Sequence, residues 1–274
     1  MRVGVLQMTG GAEPLANARM LTDAVRDAGR AGAAMLFTPE MSGLLDRDRV
    51  RAARAITDEA SDPVLARVKE AAADAGVWVQ LGSLALRRPD GRLANRSFVI
   101  DDRGAIRARY DKLHLFDVDL ANGESWRESA AYAPGEAAVV ADAPPGRLGL
   151  SICYDLRFPA LYQALTAAGA TILSVPAAFT RPTGAAHWHV LLRARAIESA
   201  AFVVAAAQTG AHEDGRETYG RSLVVDPWGE VLLDMGEEPG LGFADLDAER
   251  VSAVRARIPV LAHRRAVPDA TPAS

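Results

Sequence analysis

Three residues of types that do chemistry stand far apart in this chain, each just after an apolar run: Glu40, Lys112 and Cys153. Cys153 is the only cysteine in 274 residues. It closes the run Leu148 to Ile152, and a helical pattern opens a few residues later at Pro159, where proline suits a first helical turn. A thiol at a strand-to-helix junction faces backbone N–H groups and the positive end of a helix. Both lower a thiol pKa and stabilise an oxyanion. A small buried hydrophobe is the other reading of the same stretch. Glu40 follows Met35-Leu36-Phe37 and the break at Thr38-Pro39. Desolvation at the mouth of a buried strand is expected to raise its pKa towards that of a useful base. Lys112 follows the run Ala105 to Tyr110. Of 31 basic residues only Lys112 and Lys69 are lysines, so a lysine kept here points to a need for a compact ammonium. Taken singly, Glu40 and Lys112 read more readily as ordinary surface charges. As a set with Cys153 they give a carboxylate, an ammonium and a thiol that three strands of one sheet could bring together.

Histidine is the more usual partner of a thiol. The candidates are His114, His187, His189, His212 and His263. None sits in a run resembling a cysteine protease, and packing or capping accounts for His187 and His189 beside Trp188. A His-x-His pair without further ligands is not a metal signature, and a single cysteine excludes an internal disulfide and a cysteine-based zinc site.

The elements that must position these residues follow from periodicity. Val3 to Gln7, Ala34 to Phe37, Val77 to Ser83, Leu148 to Ile152, Thr171 to Val175 and Phe202 to Ala207 read as buried strands. Pro14 to Gly32 and Pro63 to Ala75 carry helical spacing, the second with Gly76 just past its end. A further helix is expected from about His187 to Ala200, and a short one from Ala248 to Arg257. Asp101-Asp102-Arg103-Gly104 and Asp226-Pro227-Trp228-Gly229 read as hairpin turns, and Leu241 to Leu246 as a late strand. The polar stretch Asp117 to Pro134 reads as a long irregular loop. No linker divides the chain, which predicts one mixed α/β domain over 1–263 and a loose tail over 264–274. The composition, 49% hydrophobic with a net charge of −4, suits a large core and offers no basic footprint for nucleic acid or a membrane surface. No leader and no run of about 20 apolar residues is present, so a cytoplasmic protein is expected.

Phe37-Thr38-Pro39-Glu40, Tyr110-Asp111-Lys112-Leu113-His114-Leu115-Phe116 and Cys153-Tyr154-Asp155-Leu156-Arg157-Phe158-Pro159 resemble, in order and spacing, the three signature segments of the nitrilase superfamily of carbon–nitrogen hydrolases. The resemblance runs from the first strand to about Arg265. Within the superfamily, Lys112 to Asp119, Thr183 to Glu198, Ala205 to Gln208 and Val224 to Gly229 resemble the Nit branch. There they are most similar to the deaminated glutathione amidases, with the omega-amidases as nearest rival. The resemblance implies a four-layer αββα sandwich that forms a homodimer and uses neither metal nor organic cofactor. It implies a thiol amidase that hydrolyses the terminal carboxamide of a small 2-oxo acid to carboxylate and ammonia. Deaminated glutathione is the favoured substrate and 2-oxoglutaramate the second, ahead of a general aliphatic amidase, a nitrilase or an inactive scaffold relative.

Residue by residue, the resemblance makes Cys153 the nucleophile, Glu40 the base, and Lys112 with the Tyr154 backbone N–H the oxyanion holders. Glu128, in preference to Glu124, matches a second glutamate that orients the site. Arg157 matches the arginine that binds the substrate carboxylate, with a structural ion pair as its alternative. Phe179 and Thr183 match positions lining the same pocket. The chain departs from the pattern at Ala160 and His189, where glutamate is common.

Overall fold

A computed structural model of the chain describes residues 1–119, 123 and 125–270. In chain order the first half runs β1 (Arg2–Gln7), α1 (Pro14–Arg30), β2 (Met35–Phe37), α2 (Arg49–Ala55), α3 (Pro63–Ala75), β3 (Trp78–Arg87), β4 (Leu93–Ile100) and β5 (Ile106–Asp111). A small hairpin, β6 (Asp117–Asp119) and β7 (Ser125–Arg127), leads to the second half. That half runs β8 (Val140–Ala143), β9 (Gly146–Leu150), α4 (Pro159–Ala167), β10 (Ile172–Ser174), α5 (Arg181–Ser199), β11 (Phe202–Ala205), β12 (Thr209–Ala211), β13 (Glu217–Tyr219), β14 (Leu223–Val225), β15 (Val231–Asp234), β16 (Gly240–Asp245) and α6 (Ala248–Arg257).

Two six-stranded sheets result, ordered β16-β1-β2-β3-β4-β5 and β15-β14-β11-β10-β9-β8. Each has a parallel centre, β1-β2-β3 in one and β9-β10-β11 in the other, with antiparallel strands on both sides. Alternation along the strands assigns the layers. Val3, Val5, Met35 and Phe37 pack with Leu148, Leu150, Ile172 and Val204 of the other sheet, whereas Leu36, Val79 and Leu81 pack under α1 and α3. Both faces of these short strands are covered, which is why they read as unbroken apolar runs. Trp188 and Leu192 of α5 and Leu161 and Leu165 of α4 close the second sheet from outside. The αββα order is therefore as the resemblance implied.

Several local expectations need correction. Helix α5 starts at Arg181, six residues before His187, because Pro182 sits in its first turn and needs no donor partner there. The stretch from Asp117 is structured by the β6–β7 hairpin and a 3-10 turn at Glu128–Ala130. The few residues expected between β9 and the helix at Pro159 form a 3-10 turn, Cys153–Arg157. Glu124 and residues 271–274 of the expected tail lie outside the described residues.

Candidate active site

Strand β2 delivers Glu40 to the edge of the first sheet, and a close crossing holds it there. Gly82 of β3 passes so near the Thr38-Pro39-Glu40 turn that a Cβ would lie 2.1 Å from the Thr38 carbonyl oxygen. Only glycine permits this approach. The turn is tied down by Gly82 N–H to Thr38 Oγ1 at 2.9 Å, Met41 N–H to Ser83 Oγ at 2.9 Å, and Ser42 Oγ to the Pro39 carbonyl. Gln208 Nε2 donates to the Glu40 carbonyl at 3.0 Å. Lys112 follows β5 and is held alike: its N–H donates to the Asn95 carbonyl at 3.0 Å and its carbonyl accepts from Gly135 at 2.8 Å. A Cβ on Gly135 would fall 2.1 Å from the Asp111 oxygen. Strand β5 runs parallel to β3, two places across the sheet, so it ends at the same edge as β2.

Cys153 comes from the second sheet. Its N–H donates to Pro176 at 2.9 Å, and its φ of +49° puts a non-glycine residue in the left-handed region. Met41, directly after Glu40, is similarly held at +52°. Such strain persists only where surrounding structure enforces it, and it gathers at functional sites. Asp155, fully buried, is the rivet between the lysine and cysteine segments. It accepts from Tyr110 Oη at 2.7 Å, His114 N–H at 3.0 Å and Ile152 N–H at 2.9 Å, and meets His114 Nδ1 at 2.7 Å. The His114 ring in turn stacks on Phe158 with centroids 3.6 Å apart.

These supports bring Glu40, Lys112, Glu128 and Cys153 together. Lys112 Nζ donates to Glu40 Oε1 and to Glu128 Oε2, each at 2.9 Å, with its side chain 2% exposed. Asn95 Nδ2 bridges the same two carboxyl groups at 2.9 and 3.1 Å. Glu40 Oε2 accepts the Ala178 N–H at 3.0 Å, and the Cys153 thiol hydrogen-bonds Glu40. Glu128 also accepts from the Phe116 N–H at 2.7 Å.

The electrostatics reverse two sequence expectations. Burial pushes the Glu40 carboxyl up, but the Lys112 ammonium and the donors Cys153, Lys112 and Asn95 outweigh it and hold the carboxyl below its ordinary range. Burial and the adjacent Glu40 carboxylate push the Cys153 thiol well above the usual thiol value, against the pull of Lys112 and the Ala178 N–H. Burial favours the neutral amine at Lys112, yet the Glu128 and Glu40 carboxylates keep it charged. The resting site is a carboxylate, an ammonium and a protonated thiol. The junction dipoles do not decide the thiol, because a five-residue 3-10 turn supplies less than a long helix would and the neighbouring carboxylate is closer.

All four open onto one cavity of about 600 Å³, which Tyr154, Arg157, Phe179 and Thr183 also line. Arg157 has no carboxylate partner among the described residues. Its guanidinium lies over Phe179 at 5.3 Å and Tyr154 at 6.0 Å, with His187 Nδ1 3.3 Å from Nη1. The structural ion pair that stood as its alternative is not formed among the described residues. No histidine lines the cavity among the described residues. His189 pairs with Asp234 at 3.0 Å, and Ala160 is exposed on the first turn of α4, so both departures from the family pattern lie off the cavity wall.

The carbon-nitrogen hydrolase family profile matches residues 2–256. The chain belongs to that family. It is a carbon–nitrogen hydrolase of the amidase kind, in the Nit branch of the nitrilase superfamily. It is 40% identical to a deaminated glutathione amidase of Yersinia enterocolitica over 98% of this chain and 95% of that one. The solved Caenorhabditis elegans NitFhit protein superposes with a TM-score of 0.89 at 39% identity, over 96% of this chain, which spans 65% of that longer one. A solved amidase from Nesterenkonia sp. AN1, carrying acrylamide added to its active site cysteine, gives 0.78 at 30% identity over 94% of this hydrolase and 98% of its own chain.

Sequence reading missed Asn95 and Asp155. Asn95 had a weak signal: an amide between the apolar Leu93-Ala94 and Phe98-Val99-Ile100 of β4, shared with Arg96 and Ser97. Asp155 had none, because its burial depends on donors from a segment some forty residues earlier.

Proposed function

We propose that this hydrolase cleaves the γ-amide of a 2-oxo acid, with deaminated glutathione as substrate. The observation that carries the reading is one cavity holding the Glu40–Lys112–Cys153 cluster and an arginine, Arg157, with no carboxylate of its own. Glu40, already ionised, takes the thiol proton as Sγ of Cys153 attacks the amide carbonyl, so no thiolate has to form beforehand. Lys112 and the Tyr154 backbone N–H hold the oxyanion. Glu40 then gives the proton to the departing nitrogen, and the C–N bond breaks to leave a thioester on Cys153. Water activated by Glu40 hydrolyses it to the carboxylate and restores the thiol. Glu128 and Asn95 keep Lys112 and Glu40 in register.

Arg157 binds the 2-oxo acid carboxylate with its planar fork, above Phe179 and beside Thr183. In deaminated glutathione the γ-amide nitrogen belongs to cysteinylglycine, so that substrate releases a dipeptide amine. Ammonia leaves only from a primary amide such as 2-oxoglutaramate. The reading includes a homodimer, supported by exposed apolar Val190 and Ile197 on α5 and Trp228 nearby. It also includes a reducing, cytoplasmic setting that keeps the reactive thiol free.

The test compares 2-oxoglutarate released from deaminated glutathione and 2-oxoglutaramate with ammonia released from glutamine and a simple nitrile. The expected order of kcat/KM follows that sequence. Equal turnover of glutamine or the nitrile overturns the assignment.

A further inference from the structure

The cavity carries more positive charge than the chemistry at the thiol uses. Among the described residues its lining has eight basic side chains against four acidic ones, in a chain whose net charge is −4. Most are engaged: Lys112 lies between the glutamates, Arg127 pairs with Asp119, and Arg49, Arg87 and Arg92 donate to backbone carbonyls. Arg47 and Arg216 differ. Both guanidinium carbons lie over the ring of Trp126, 5.4 and 4.9 Å from its centroid.

Asp214, its side chain 1% exposed, fixes the pair: Oδ2 accepts the Arg47 backbone N–H at 2.8 Å and Arg216 Nε at 2.8 Å. That answers one edge of Arg216. Its terminal nitrogens and the whole Arg47 guanidinium have no hydrogen-bond partner among the described residues. The neighbouring Asp46 is already taken by Arg51, at 2.5 and 2.9 Å. Two like charges held over one ring repel each other. A carboxylate between them relieves the repulsion and meets the open donors in the geometry guanidinium groups favour.

We propose that Arg47 and Arg216 form a second anion site, which binds a carboxylate at the leaving-group end of the substrate and makes the enzyme selective for dicarboxylates. Such a substrate is an amide whose 2-oxo acid end meets Arg157 and whose amine end carries an acid. The proposal rests on the reading above for which end lies at Cys153. 2-Oxoglutaramate, with no far acid, fills only the Arg157 end.

The test uses Cys153→Ala protein and two ligands differing at one group: deaminated glutathione, and its counterpart in which the glycine carboxylate is a carboxamide. Titration calorimetry should give at least about tenfold tighter binding of the acid. Adding Arg47→Gln, which removes an exposed guanidinium that lies over the Trp126 ring, should cut that preference at least about threefold. Equal affinities, failure to bind either ligand, or an undiminished preference in the Arg47→Gln background overturns the site. Turnover by the unmodified enzyme separates the two readings. Acid-selective binding without hydrolysis leaves the second anion site standing and removes deaminated glutathione as the substrate. Hydrolysis of both ligands at one kcat/KM does the reverse.

Discussion

The two ends of the cavity hold charge in opposite ways. At the inner end, Lys112 lies between Glu40 and Glu128, donating to both, with its side chain 2% exposed. At the outer end, Arg47 and Arg216 share an aromatic ring and leave donors open. Burial makes the inner charges a coupled set, in which removing one member leaves the others unpaired in a low dielectric. Arg47 is exposed, so its charge is screened and individually modest, whereas Arg216, 16% exposed, is screened less. The proposed chemistry therefore belongs at the first end and the proposed recognition at the second.

The comparison breaks most sharply at the inner end. Glu40→Gln and Cys153→Ser should each lower kcat by at least about 10³-fold while the thermal transition stays cooperative. A Glu40→Gln enzyme within tenfold of the parent would return the base to another group. Lys112→Met should cost about 3–5 kcal/mol in urea unfolding, because it strands two buried carboxyl groups. Lys112→Arg should not restore turnover, since a planar guanidinium does not fit between Glu40 Oε1 and Glu128 Oε2. A small stability loss in Lys112→Met would mean the inner charges are not coupled.

Arg157→Lys should raise KM for 2-oxo acid amides by about tenfold, and far less for a neutral amide. Equal changes would remove Arg157 from the substrate. pH gives a finer measure. Glu40 is held below its ordinary 4.5 and Cys153 above its ordinary 9.0, so kcat/KM should stay flat between those values. The depressed Glu40 pKa adds stability above the ordinary carboxylate value, lost as pH falls through the folded value. Asn95→Leu, which removes one donor to Glu40, should move the acid limb of the pH profile upward. The smallest effect belongs to the outer end: raising ionic strength tenfold should increase KM for a dicarboxylate substrate about two- to threefold with kcat unaffected.

The fold was legible where one cause dominated. Met35-Leu36-Phe37 and Leu148-Gly149-Leu150 are buried on both faces and read as strands from composition alone, and α3 ends at Gly76 because that residue takes φ +64°. Legibility failed where partners are distant. The β6–β7 hairpin is short and polar, and the start of α5 was obscured because Arg181-Pro182-Thr183-Gly184 reads as loop chemistry. The site was legible through Glu40, Lys112, Cys153 and Glu128, whose types and motif positions mark them. Asn95 and Asp155 were not, since an amide or a carboxylate is identified only by what it bonds.

By itself the sequence determined which groups are present and the elements that carry them: one thiol, a carboxylate and a rare lysine, each at the end of an apolar run. That follows from short-range rules, the period of a strand and the chemistry of a side chain. Tertiary structure decided their protonation and their pairing. Glu40 is ionised because Lys112 and Asn95 arrive from other elements, and Cys153 is neutral because it is buried beside that carboxylate. Charge interactions depend on distance through space, and sequence separation carries no measure of that distance.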